Sequence, residues 1–249
     1  MTSVNWMTVA AVCLWATPSV AREPIIPRSE LPGLGSDDPR HTVDHRVLPW
    51  AALGRVQTEL GTRCTGTLLG PRTVLTAAHC LVALRSRRFV QPSSVHFLLG
   101  YNQGAWTAQA RVVAFKVGES FDPESNLPRG ADWALLTLGT SIGRAGWSLP
   151  LATRATAEQA SLVLGGYQQD RPEVLLADTA CRVLGMRAYD GRPLLIHSCA
   201  GTRGASGAPV LTQGTDKNWT VAGVAVAVTR NQAMGYAVPA SAIGENSAQ

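Results

Sequence analysis

Three residues that can act together in nucleophilic chemistry stand far apart in this sequence. His79 lies near the end of TLLGPRTVLTAAHC, Asp132 precedes an apolar run in GADWALLTL, and Ser206 lies in GTRGASGAPV. A serine hydroxyl is protonated at neutral pH, so it attacks a carbonyl only when a base such as histidine removes its proton. A buried carboxylate then keeps the imidazole aimed and stabilises the imidazolium that forms. The three residue types therefore predict acyl transfer if the fold brings them together.

Each residue also has a structural interpretation when it is taken alone. Ser206 fits a turn beside glycine, His79 fits a buried core histidine, and Asp132 fits the cap of a turn. Only their occurrence together favours catalysis. An α/β-hydrolase is excluded, because Ala208 stands where its Gly-x-Ser-x-Gly motif needs the last glycine and no histidine follows Ser206.

The elements that must position these residues are short strands. From Pro49 onward, apolar runs alternate with Gly, Pro, Asn and Asp, as in CTGTLLG, ARVVAFKV and WTVAGVAVAV. This spacing is typical of an all-β sandwich or barrel. Helical pattern is limited to a turn around Ala77–Ala83 and to the residues near Ser241. The small and polar stretch SIGRAGWSLPLATRAT predicts a linker between two comparable halves, which we place at 41–145 and 146–249.

The N-terminus has the features of an export signal. WMTVAAVCLWATPSVA is apolar but short for a membrane span, and Ser19-Val20-Ala21 offers small residues for signal peptidase. Cys13 lacks the small preceding residue that a lipid-modified cysteine needs. We therefore expect a signal peptide at 1–21, a Pro-rich and Gly-rich leader or linker at 22–40, and a secreted or periplasmic protein without stable membrane insertion after signal removal.

Four cysteines remain after the predicted signal: Cys64, Cys80, Cys181 and Cys199. An even count in an exported chain favours disulfides. Three pairings are possible, and the two local ones, Cys64 with Cys80 and Cys181 with Cys199, would each contribute about 3 kcal/mol by chain entropy. A zinc site is disfavoured because the cysteines come singly.

Composition excludes several other classes. The chain is 45% hydrophobic, so it can bury a core. Its formal charge is +5, but it lacks the interleaved aromatic and basic residues that are typical of nucleic-acid binding. The histidines of HTVDH, His41 and His45, are spaced like a metal pair but lack the glutamate of a zinc peptidase motif. We expect no metal, no cofactor and a monomer.

The segments TAAHC, DWALL and GASGAP, in this order, resemble the motifs of trypsin-like (chymotrypsin-fold) serine peptidases, and the similarity spans roughly His41 to Ile243. The resemblance implies two six-stranded antiparallel β-barrels with the active site in the cleft between them. It implies that His79 is the general base, Asp132 its orienting carboxylate and Ser206 the nucleophile. The N–H groups of Gly204 and Ser206 would form the oxyanion hole, and Cys64 would pair with Cys80.

Two positions depart from relatives within that family. Ala205 replaces the aspartate that receives the new N-terminal amine after zymogen cleavage, and the sequence instead resembles the bacterial glutamyl-endopeptidase-like branch. We therefore expect an oxyanion hole that forms without this switch. Ala225 replaces the pocket histidine of the glutamate-preferring relatives. A pocket of small residues predicts a small or medium apolar substrate side chain, with these substrate-binding residues: Ala200, Thr202, Arg203, Ala225, Val226 and Val228.

Two functions remain open from sequence. The first is an exported serine endopeptidase that acts through an acyl-enzyme with a His-Asp-Ser triad. The alternative is a catalytically inactive trypsin-like scaffold that binds a partner, since a fold does not dictate its function. The three motifs together favour the peptidase.

Overall fold

A computed structural model describes residues 26–247 of the chain. The predicted signal peptide at 1–21 and the start of the leader lie outside these residues. Strands are the main regular structure of the described part, as the alternating pattern predicts. In chain order they are β1 (His41–Thr42), β2 (Leu53–Thr58), β3 (Arg63–Gly70), β4 (Thr73–Thr76), β5 (Val95–Leu99), β6 (Ala108–Val117), β7 (Ala134–Leu138), β8 (Ser161–Gln168), β9 (Arg171–Tyr189), β10 (Arg192–His197), β11 (Pro209–Gln213), β12 (Trp219–Val228) and β13 (Gly235–Pro239).

Six of these strands close the first barrel, in the order β2-β3-β4-β7-β6-β5 with β5 returning to β2. In β7 the side chains of Ala134, Leu136 and Leu138 are buried while Thr137 is exposed, because alternate residues of a strand face opposite sides. The inward residues pack with Phe97 in one apolar core. This barrel confirms the first half of the predicted fold.

The second sheet has the order β1-β9-β10-β13-β12-β11-β8, and β8 also pairs with β9. The additional pairing closes six strands into a circuit, and the two-residue β1 is attached outside it through His41↔Ala177. The all-β, two-barrel prediction is therefore confirmed. β1 falls within the predicted N-terminal unit, yet it pairs with the second sheet.

Helices are short, and most of them lie between strands. The described residues contain five 3₁₀-helices, at Arg28–Glu30, Trp50–Ala52, Ala78–Leu81, Pro92–Ser94 and Arg129–Ala131, and one α-helix, α1, at Ala240–Ser247. The helical turn near Ala77 and the terminal helix match the sequence expectation. Within residues 26–247, no helix is both long and apolar enough to cross a membrane.

The segment predicted as leader or linker packs against the second barrel over its described part. Leu31 and Leu34 form a small buried cluster with Ala200. The N–H of Gly201 donates to the carbonyl of Gly33, at 3.2 Å. Arg40 is buried as well, so this segment lies against the loop that carries Ser206.

Candidate active site

His79 and Asp132 are joined at one end of the first barrel. His79 lies on the 3₁₀-helix that follows β4, and Asp132 ends the 3₁₀-helix that precedes β7. Because β4 and β7 are paired, the two residues emerge side by side. One carboxylate oxygen of Asp132 accepts the backbone N–H of His79 at 2.9 Å, and the other lies 2.7 Å from Nδ1 of the imidazole. The buried carboxylate thus fixes the ring with the proton on Nδ1, which leaves Nε2 as the group that can accept a proton.

Ser206 lies in the loop between β10 and β11, against the part of the first barrel that carries His79. Its carbonyl accepts the N–H of Thr65 on β3 at 2.9 Å. A Cβ on the next residue, Gly207, would come within 2.9 Å of the backbone nitrogen of Ala77, two residues before His79, so only glycine allows this approach. Within the described residues the Ser206 hydroxyl makes no hydrogen bond to His79.

The loop Thr202–Ser206, here called the oxyanion loop, has every carbonyl occupied. Gln169 N–H donates to the carbonyl of Arg203 at 2.8 Å, and the Thr65 hydroxyl donates to that of Gly204 at 2.9 Å. The remaining three carbonyls accept backbone N–H groups, in the pairs Ala205 to Thr202, Ala208 to Ala205 and Thr65 to Ser206.

This arrangement determines where the amides of the loop point. In a trans peptide the C=O and the following N–H point in opposite directions. Because the Arg203 carbonyl faces Gln169, the N–H of Gly204 faces away from the β8–β9 hairpin. Among residues 26–247, the N–H groups of Gly204 and Ser206 donate to no other group. Two backbone donors are therefore available beside the candidate nucleophile.

A cavity of about 370 Å³ opens next to Ser206. Of the predicted substrate-binding residues, five line it: Thr202, Arg203, Ala225, Val226 and Val228. Ala200 does not line it, because it lies in the cluster with Leu31 and Leu34. Arg203 also lines a second cavity of about 280 Å³ together with Gly204.

The first cavity contains polar residues that sequence analysis did not assign to it. They are Arg129, His197 and Arg230, and the apolar Pro32 joins them from the N-terminal segment. Arg129, Arg203 and Arg230 are exposed, and none of them forms an ion pair within the described residues. No sequence motif marks these residues, because they come from separate loops and strands and meet only in the fold.

His197 is the buried polar group of this cavity. The N–H of Cys199 donates to its Nδ1 at 3.2 Å, so the imidazole is neutral and carries its proton on Nε2. Burial lowers the pKa of His197 to about 4. Its Nε2 is buried and has no hydrogen-bond partner in the described residues, and the ring lies over Gly235, where a Cβ would come within 2.7 Å of Nε2. An N–H donor is thus left unpaired in the wall of the cavity.

The cysteines form the two local disulfides, Cys64–Cys80 and Cys181–Cys199. A ring nitrogen of His79 lies within 4.8 Å of the sulfurs of Cys64 and Cys80. Those sulfurs bond to each other and are not thiolates, so this cluster does not have the donors of a metal site. The disulfide instead links β3 to the helix that carries His79.

Similarities to known proteins extend over most of the chain. The family model described as "Trypsin-like peptidase domain" matches residues 64–224, well over half of the chain. A glutamyl endopeptidase of Bacillus licheniformis is 25% identical over 190 residues, which cover 74% of this chain and 56% of the relative. The chain therefore matches only a little over half of that relative's length. A solved structure titled "Structure of Glu endopeptidase in complex with MPD" matches with a TM-score of 0.70 and 20% identity, over 87% of this chain and 100% of that one.

Proposed function

We propose that this chain, which belongs to the trypsin-like peptidase domain family, is a serine endopeptidase of the glutamyl-endopeptidase branch with a polypeptide as its substrate. The observation that carries the proposal is the doubly hydrogen-bonded His79–Asp132 pair beside the loop of Ser206. In this proposal His79 is the general base and acid, Asp132 orients it, and Ser206 is the nucleophile.

The reaction proceeds through an acyl-enzyme. The oxygen of Ser206 attacks the substrate carbonyl carbon while its proton passes to Nε2 of His79. Asp132 stabilises the imidazolium, whose second N–H it already accepts. The intermediate collapses, the peptide C–N bond breaks, and Nε2 returns the proton to the departing amine. Water, activated by the same imidazole, then attacks the ester and releases Ser206.

The oxyanion of each tetrahedral intermediate binds to the N–H groups of Gly204 and Ser206. The occupied carbonyls of the oxyanion loop support this role, because no carbonyl oxygen of Thr202–Ser206 is left to repel the developing charge. Such preorganised donors act where the charge forms. The hydrogen bond from Ser206 to His79 forms when substrate binds, since catalytic hydrogen bonds often tighten only in the complex.

The primary pocket accepts an acidic side chain in this proposal. The sequence pattern of Ala225, Val226 and Val228 predicts a small or medium apolar side chain instead. The cavity, however, is also lined by unpaired arginines and by His197, whose Nε2–H has no partner in the described residues. A carboxylate would accept that N–H and lie in a positive field. The name of the glutamyl endopeptidase relative supports the same preference. His197 would supply the imidazole that Ala225 cannot.

Export belongs to the proposal as well. The two disulfides support an oxidising compartment, outside the cell or in the periplasm. The signal peptide at 1–21 and the monomeric state remain predictions.

Labelling with a fluorophosphonate tests the nucleophile. We expect covalent modification of the wild-type protein and none of Ser206→Ala, because the probe bonds to an activated serine oxygen. A folded wild-type protein that neither reacts nor cleaves peptides would favour the inactive scaffold.

Matched peptides with Glu, Gln or Leu before the scissile bond test the pocket. We expect kcat/KM for Glu to exceed that for Gln by about tenfold or more, as one charge-assisted hydrogen bond contributes about 1.5–3 kcal/mol. Arg230→Met should reduce this ratio, while Arg154→Met, an exposed arginine outside the cavity, should not. Equal rates on the Glu and Leu peptides would contradict the acidic preference.

A further inference from the structure

The oxyanion loop is held in place by a buried cluster around Arg40, on the segment that sequence analysis predicted as a leader or linker. The side chain of Arg40 is 0% exposed. Its guanidinium donates five hydrogen bonds of 2.7 to 3.1 Å. Two go to the carboxylate of Asp38, two to that of Asp170 and one to the side-chain oxygen of Gln168. All five N–H donors of the guanidinium are therefore used, and the side chain has one possible orientation.

Gln168 transmits this orientation to the oxyanion loop. Its Oε1 accepts Nη1 of Arg40 at 2.7 Å and the backbone N–H of Thr202 at 2.8 Å. Both partners are donors, so Oε1 and Nε2 of the side-chain amide cannot exchange places. Its Nε2 is buried without a partner in the described residues, which is a cost that an apolar side chain would avoid. The oxygen, held by two donors, is therefore the atom that links Arg40 to the oxyanion loop.

The next residue completes the attachment. Gln169 donates its backbone N–H to the carbonyl of Arg203 and its side-chain amide to the hydroxyl of Thr202, at 2.8 and 3.1 Å. The first of these bonds fixes the peptide whose N–H belongs to Gly204. A displacement of the β8–β9 hairpin would therefore turn the oxyanion donor away.

The ion pairs make the cluster depend on Arg40. Burial alone would lower the pKa of Arg40, but hydrogen bonds to Asp38 and Asp170 raise it. The hydrogen bond from Arg40 lowers the pKa of Asp38 in turn. Without the guanidinium, two carboxylates would face each other at the base of the hairpin, and only the more distant Arg171, 3.9 Å from Asp170, would offset their repulsion.

We propose that Arg40, acting through Gln168, is a positioning residue for the oxyanion loop and replaces the ion pair that Ala205 cannot form. The inference rests on the proposed function, because it assigns the loop a role in catalysis. The inference also restricts where proteolytic maturation can occur. Cleavage that leaves an active enzyme must fall before Asp38, because cleavage further along the chain would remove members of the cluster.

The experiment compares Arg40→Met and Gln168→Met with the wild-type protein. We expect kcat to fall about ten- to a hundredfold with KM changed less than about threefold, because a donor misplaced by about 1 Å costs rate and not ground-state binding. The affinity for a peptide aldehyde, whose adduct carries the oxyanion, should fall by a similar factor.

Arg46→Met is the matched control, because Arg46 forms the same kind of pair with Asp44 nearby but is 75% exposed. It should behave as wild type. Gln168→Met changes no charge and little volume, so it remains available if Arg40→Met does not fold. Folded variants with kcat and aldehyde affinity within about twofold of an active wild type would overturn the inference. A folded wild type with no activity would instead overturn the proposed function.

Discussion

The carboxylate of Asp132 must satisfy two hydrogen-bond donors at once. Both of its oxygens accept N–H donors of His79, one from the backbone and one from the ring. In Asp132→Asn an NH₂ group must face one of these donors, so the ring turns to the other tautomer or loses its orientation. We predict a kcat lower by about a thousandfold or more with nearly unchanged KM, measured on a peptide substrate. Asp44→Asn, an exposed carboxylate, provides the control, and a loss below about tenfold in Asp132→Asn would contradict the triad.

His197 makes stability depend on pH. Its pKa falls from the ordinary 6.5 to about 4 in the folded protein because it is buried. Between these values the unfolded chain binds a proton that the native protein does not, so the free energy of unfolding decreases as the pH falls from 6.5 to 4, by about 3 kcal/mol for this group.

The variant His197→Phe isolates that contribution. Urea unfolding at pH 7 and pH 4 should show that the free energy of unfolding falls less between these values in the variant than in the wild type. The variant should be less stable at both values, because the Cys199 N–H loses its acceptor. Identical pH dependence in the two proteins would show that His197 is not the group responsible.

Single functional residues could be predicted from the sequence only where a reactive side chain stands in a recognisable local motif. His79, Asp132 and Ser206 stand in recognisable strings. Gln168 and Arg40 are 128 residues apart and stand in no motif, and their partnership arises from burial in the folded chain. The position of His197 in the cavity depends likewise on the pairing of β10 with β13.

Among the elements, β3 connects the first barrel to the nucleophile loop through one buried residue. Thr65 donates its hydroxyl to the carbonyl of Gly204 and accepts the N–H of Tyr167 at 2.9 Å. Thr65→Val keeps the shape but leaves two buried polar groups unpaired, which costs about 1–3 kcal/mol each. We predict a lower melting temperature and a kcat reduced by about tenfold, with Thr65→Ser close to wild type.

Thr67→Val is the matched control for Thr65→Val. Thr67 is on the same strand, is equally buried, and donates its hydroxyl to the carbonyl of Ala52, away from the loop. Its loss should lower stability without the fall in kcat. Equal effects of both valines on kcat would mean that Thr65 contributes only to folding.

The strands themselves were predictable, because period-two alternation of apolar residues reports directly on which face is buried. The N-terminal segment was not. Its prolines and glycines indicate a leader by composition, whereas Leu31 and Leu34 are buried by contacts with Ala200, far along the chain. Local pattern carries no information about such a partner.

At the scale of the whole molecule, the candidate site requires three parts of the chain at once. The first barrel supplies His79 and Asp132, the second supplies Ser206 and most of the cavity, and the N-terminal segment supplies Arg40 and Pro32. The resemblance to a two-barrel family predicted the first two parts. The third became apparent only from the buried ion pairs.

The charge of the molecule adds a prediction about salt. The chain has a formal charge of +5, and the exposed Arg129, Arg203 and Arg230 concentrate positive charge at the mouth of the cavity. Such a field attracts an acidic peptide and raises its association rate, and salt screens it because the Debye length falls from about 30 Å at 0.01 M to about 3 Å at 1 M. We predict that kcat/KM for a peptide with Glu before the scissile bond falls about three- to tenfold between ~0.02 M and ~0.5 M NaCl. For the matched Gln peptide, kcat/KM should change less than about twofold over the same range. In the double variant Arg129→Met, Arg230→Met, kcat/KM for the Glu peptide should depend less on salt than in the wild type. If both peptides respond equally to salt in the wild-type protein, the arginines at the cavity do not select the acidic side chain.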